Sequence, residues 1–224
     1  MATTITLTSK IDGAEFTALH AEPQGERRGG VILVQEIFGL DQFVQADVAL
    51  WSSLGFEVLA PSMFDRQEKG FTAEHSPEGM QQGIAHLMAN GWDNPVSDID
   101  ACAAFLSARG PVFAAGYCYG GSVVYLAATK LHSLAAASCY YGGQIPNWID
   151  QKPNCPTICH FGRLDAHIPM ESVELIRISR PDVPVYDYEA GHGFNNKGGA
   201  AYAPQASELA RQRTLELFQQ NGAK

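Results

Sequence analysis

VFAAGYCYGGSVVYLAA, Val112 to Ala128, sets an apolar run, a cysteine bracketed by glycines and a small-residue run in direct succession. The first run has the content of a strand buried on both faces, and the last has the spacing of a helix. Between them lies Gly116-Tyr117-Cys118-Tyr119-Gly120-Gly121. Glycines at 116 and 120 remove side chains that would collide in a sharp strand-to-helix turn. This is the shape of a nucleophile elbow, with cysteine where serine is usual. Taken alone, Gly-x-Cys-x-Gly is equally the mark of a small residue filling a tight turn.

The chain on either side repeats the strand-then-helix step. TITLTS and EFTALHAE alternate apolar and polar residues and predict an N-terminal antiparallel hairpin. GGVILVQE, Gly29 to Glu36, predicts a buried strand, and DQFVQADVALWSSLG predicts a helix stopped at Gly55. FEVLAPSM is the next strand, and residues 64–76 are a polar, irregular loop. PEGMQQGIAHLMANG and VSDIDACAAFLSARG predict two helices, the second capped by Ser97. Strands follow in VFAAG, LAAASCYYGG, PTICHFGRLD and VPVYDYEAG. Helices follow in GGSVVYLAATKL, in PMESVELIRI with Pro169 at its first position, and in APQASELARQRTLELFQQ. Such alternation implies an α/β fold, a mostly parallel central sheet with helices on both faces, in a single domain over residues 1–224. In these sheets functional loops gather at the C-terminal ends of the strands.

Bulk properties narrow the function. A chain of 224 residues with a formal charge of −9 and no Lys/Arg cluster is a poor nucleic-acid binder. No apolar run reaches the roughly 18 residues that span a bilayer. The N-terminus has neither the charged nor the apolar region of a signal peptide, so a cytoplasmic protein is expected. The five cysteines, an odd number at irregular spacing, do not form a disulfide framework. Cys155 and Cys159 are read on one face of a strand, with no second Cys/His pair nearby to complete a zinc site. No large apolar stripe is left unassigned, and a monomer is expected.

Three more residues stand just after strands. Asp165, in GRLDAHIP, is placed either to cap the following helix or to reach a neighbouring loop. His192, in AGHGF, is either a turn residue or a base aimed back across the sheet by its flanking glycines. Cys118, Asp165 and His192 fall 47 and 27 residues apart, room enough for the intervening β-α units. Nucleophile, acid, histidine, each after its own strand, is the order of the α/β-hydrolase fold. Cys118 would then attack, His192 would move its proton and Asp165 would orient the imidazole. The backbone N–H groups of Tyr119 and Ile37 are the candidate oxyanion hole. Glu36, at the end of a buried strand, is either a partly solvated loop residue or a group that controls the Cys118 proton.

These residues carry a resemblance. The chain resembles the dienelactone hydrolase family in QEIFGL with Glu36, GYCYGG with Cys118, GRLDAHIP with Asp165 and GHGF with His192. YYGG at Tyr140–Gly143 and the C-terminal RTLELF agree as well. The likeness implies a Cys-His-Asp triad that hydrolyses an ester or lactone through a thioester. It implies that Glu36 pairs with the resting thiol and swings away when substrate binds, and it implies no metal or organic cofactor. It also implies two arginines that grip a substrate carboxylate, but here the matching positions are Gln81 and Asn196. Neutral amides do not replace a bidentate arginine, so a neutral ester, lactone or thioester is expected rather than dienelactone itself. Arg66 is either a substitute anchor or a loop-stabilising arginine. Phe38, Tyr117, Tyr119 and Tyr140 either line an aromatic pocket or pack in the core, Tyr140 being the foremost pocket candidate. Two other readings of the thiol are a non-enzymatic small-molecule-binding module and a redox sensor on the same fold.

Overall fold

The computed structural model describes residues 2–224. Strands β1 (Thr3–Thr8) and β2 (Glu15–Ala21) form the antiparallel hairpin, Thr3 opposite His20 and Thr8 opposite Glu15. The chain continues through β3 (Gly29–Val34), α1 (Gln42–Ser53), β4 (Phe56–Pro61), α2 (Pro77–Asn90) and α3 (Asp93–Ser107). It goes on through β5 (Val112–Tyr117), α4 (Tyr119–Lys130), β6 (Ala136–Tyr140) and β7 (Thr157–Gly162). It ends with α5 (Met170–Ser179), β8 (Val185–Tyr188) and α6 (Pro204–Gln220). All strands join one sheet in the order β1-β2-β4-β3-β5-β6-β7-β8. β2 meets β4 antiparallel, and every pair from β4 to β8 is parallel.

Strand β3 shows why both faces need helices. All six of its residues are buried. Ile32 and Val34 join a core with Val96, Ile99 and Leu106 of α3 and Val123 of α4. Val31 and Leu33 join a second core with Val44, Val48 and Trp51 of α1 and Phe218 of α6. The two-residue period of the strand sends neighbours to opposite layers. Phe218 closes the second layer by stacking on Phe113 of β5 at 4.4 Å. From β3 the chain first steps outward to β4, then crosses back to β5 on the other side. The carboxyl ends of β3 and β5 therefore flank a topological switch point, where a crevice forms in sheets of this kind.

Helix starts differ from the sequence expectation in two places. α3 begins at Asp93, not after Ser97, because Pro95 is tolerated in a first helical turn. Ser97 instead accepts hydrogen bonds from the Ser9 hydroxyl at 3.0 Å and the Ile11 amide at 3.1 Å, fastening the β1–β2 turn to α3. α5 begins at Met170, with Pro169 as the residue before it. Cys155 lies ahead of β7, so it does not share a strand face with Cys159. No helix among the described residues is long and apolar enough to cross a membrane.

Candidate active site

Cys118 joins β5 directly to α4 and has φ 53° and ψ −113°, a conformation that costs a non-glycine residue free energy. Close backbone packing holds it there. A Cβ on Gly116 would lie 2.2 Å from the Gly120 carbonyl oxygen, and one on Gly120 would lie 2.3 Å from that of Val34. The Cys118 amide donates to Tyr140 O at 3.0 Å, and the Gly120 amide donates to Gln35 O at 3.1 Å. The elbow is thus bonded to the strands on both sides. Cys118 is half-buried, whereas the other four cysteines are buried.

His192 follows β8, and its Nδ1 lies 2.7 Å from Asp165 Oδ2. Asp165 follows β7, and its Oδ1 accepts from the amides of His167 at 2.8 Å and Ile168 at 3.2 Å. Both sequence readings of Asp165 therefore hold at once, one oxygen for the turn and one for the imidazole. Burial pushes the Asp165 carboxyl up, but the His192 contact and the two amides outweigh it and hold it below the usual range. Burial likewise works against a charged His192. Hydrogen bonds and charge from Asp165 and Cys118 prevail and raise it to about 10. With Nδ1 turned to Asp165, Nε2 is the nitrogen left to serve the sulfur.

The loop after β3 completes the site. Ile37 and Tyr119 donate no hydrogen bond from their backbone N–H groups among the described residues, so both amides are free for a developing oxyanion. Gln35 is fully buried, and its Oε1 accepts from the Met63 amide at 3.1 Å. Phe38 is buried and stacks on His75 at 3.8 Å, while His75 Nε2 lies 2.6 Å from Asp41 Oδ2. α2 presses on the same loop, since a Cβ on Gly83 would lie 2.2 Å from Ile37 O. Glu36 is 8% exposed, and its Oε2 accepts from Asn196 Nδ2 at 3.3 Å. Burial pushes its carboxyl up, against the opposing charges of His192 and His75.

The other candidates fall in different places. Arg66 is committed to Asp98 at 2.6 Å and Asp12 at 2.8 Å, which makes it a loop anchor. Gln81 is exposed on α2. Tyr140 is buried, with its hydroxyl 2.8 Å from Thr214 Oγ1, so it packs in the core rather than in a pocket. The next residue, Tyr141, is the one beside His192, at 5.0 Å between rings, and it adopts φ 38°. Strand alternation turns 141 away from the direction of 140, but no sequence signal marks the positive φ. Tyr119 packs its ring between Phe64 at 5.3 Å and Trp92 at 5.7 Å. His20, Glu22 and Glu57 have the spacing of a metal-ligand set. Arg27 at 2.7 Å and Arg109 at 3.3 Å already neutralise Glu57, which leaves little attraction for a cation.

The strand order, with a strained strand-to-helix turn at Cys118 beside the switch point and Asp165 and His192 after later strands, is that of the α/β-hydrolase fold. The sequence profile of the dienelactone hydrolase family matches residues 16–222, and the chain belongs to that family. It is 30% identical over 219 residues to the carboxymethylenebutenolidase of Pseudomonas putida, covering 92% of each chain. A carboxymethylenebutenolidase of Pseudomonas sp. strain P51 is 28% identical, covering 92% of this chain and 90% of the relative. In fold, a dienelactone hydrolase-like promiscuous phosphotriesterase from metagenomic libraries matches with a TM-score of 0.77 at 19% identity, covering 98% of each chain. The protein is a hydrolase of the lactone and ester type.

Proposed function

We propose that the protein hydrolyses neutral lactones or carboxylic esters through a thioester on Cys118. The 2.7 Å contact of His192 with Asp165, beside a partly exposed elbow thiol, carries this reading. His192 takes the thiol proton at Nε2, and the sulfur attacks the carbonyl carbon. The C–S bond forms while the carbonyl electron pair moves onto oxygen, facing the amides of Ile37 and Tyr119. When the carbonyl reforms, the C–O bond breaks and the leaving oxygen takes the proton from His192. Neutral His192 then accepts a proton from water, whose oxygen attacks the thioester. The C–S bond breaks, the carboxylic acid leaves, and the thiol recovers the proton. Glu36 is bonded to Asn196 rather than to the resting Cys118 thiol, so its part in this reading is to act on the charge of the nearby His192.

The amides at positions 81 and 196 favour a neutral substrate. Gln81 carries no charge, Asn196 is held by Glu36, and Arg66 is held by Asp98. Cys118→Ala should lower turnover of a lactone by roughly 10³-fold or more, and a thiol reagent should modify Cys118 before the other cysteines. Turnover unchanged in that variant overturns the mechanism. A dienelactone cleaved much faster than neutral esters overturns the substrate reading.

A further inference from the structure

His75 lies on the loop between β4 and α2, and its imidazole braces a second loop, residues 35–41, which joins β3 to α1. The ring stacks on Phe38 at 3.8 Å with 23° between the planes, and Phe43 meets it edge-on at 5.0 Å. Its Nε2 lies 2.6 Å from Asp41 Oδ2. The other Asp41 oxygen accepts from the amides of Phe43 at 2.9 Å and Val44 at 3.0 Å, which fixes the carboxylate at the start of α1. Asp41 is thus used as Asp165 is, one oxygen for backbone amides and one for an imidazole. Phe38 and Asp41 are 8% and 9% exposed, and the His75 side chain is 32% exposed. Packing on Phe38 alone would call for an apolar ring, whereas the contact with Asp41 fixes the imidazole in one orientation.

Phe38 directly follows Ile37, whose backbone N–H is free among the described residues. Backbone contacts hold this stretch along one side. The Phe38 carbonyl accepts from the Ala73 amide at 3.0 Å, and Gly39 bridges Thr72. They set how far the loop stands from its neighbour. The brace from Phe38 to Asp41 sets its tilt, because it ties the middle of the loop to an end already fixed by α1. Tilt matters to an N–H donor, whose bond weakens steeply once its angle falls below about 120°. We propose that His75 is a positioning residue for the reaction: gripped by Asp41, it holds Phe38 in place and keeps the Ile37 amide aimed where oxyanion charge develops. His75 touches no reacting atom in the thioester route, on which this role rests. Its loss should therefore slow the chemical step and leave substrate affinity nearly unchanged.

Hydrolysis of phenyl acetate measures the role, with iodoacetamide labelling of Cys118 run beside it. His75→Ala should lower kcat roughly 10- to 100-fold with KM within about two-fold of the wild type, while thermal unfolding stays cooperative. Labelling needs no oxyanion donor, so its rate should stay within about three-fold. Phe38→Leu removes the other half of the stack and should split kcat from KM in the same way, which serves if His75→Ala does not fold. The double variant should lose no more than the worse single change, since both act through one contact. Wild-type kcat in His75→Ala, a KM that rises as kcat falls, labelling slowed as much as turnover, or additive losses in the double variant overturns the inference. Turnover unchanged in Cys118→Ala overturns the thioester reading instead, so the two failures are distinct.

Discussion

Asp165 divides its oxygens between a turn and a histidine, and the charge state of His192 follows from that division. The raised His192, at about 10 against an ordinary 6.5, favours the fold only while the imidazole is protonated. Its contribution is complete below about 6.5 and is lost as pH rises through about 10. Part of the rise comes from Cys118, so Cys118→Ala should move the imidazole titration, followed by NMR, downward from about 10. An unmoved titration would assign the whole effect to Asp165. The placement of Cys118, Asp165 and His192, each after its own strand, is legible from the alternation of apolar runs. That of Tyr141 is not, because a backbone angle of φ 38° on a tyrosine leaves no trace in hydrophobic period or composition.

At the level of the element, α2 acts through a missing side chain. A glycine inside a helix usually weakens it by about 1 kcal/mol relative to alanine. Gly83 sits where a Cβ would lie 2.2 Å from Ile37 O, so alanine there displaces the loop after β3 or the helix. Gly83→Ala should lower kcat by roughly 10- to 100-fold with a smaller change in KM. Full activity in this variant would show that the loop is positioned without α2. The extent of α2 could be read from Ser76, Pro77 and the pattern that follows, but the approach to Ile37 could not, since it joins residues 46 apart. The start of α3 was misread for a related reason. Ser97 has the chemistry of a cap, yet its hydroxyl serves the distant β1–β2 turn.

Across the whole molecule, the sheet and its two cores were legible because period-two strands and small-residue helices alternate along the chain. The charged ties between segments were not. Arg66 spans the loop after β4, the β1–β2 turn and α3 by holding Asp12 and the fully buried Asp98. Arg66→Met would leave the Asp98 charge buried without a partner, a loss of about 3–5 kcal/mol. Urea unfolding measures it, and a second change, Asp98→Leu, should restore part of the stability. A loss within about 0.5 kcal/mol would show that the network carries no load. The Gly120 amide on Gln35 O joins two loops of the candidate site. It ties the turn at Cys118 and the loop after β3 into one backbone unit, so a change that shifts either is felt by the other. Segment 144–155 lies outside that unit, a stretch where substitution should leave the turn at Cys118 in place.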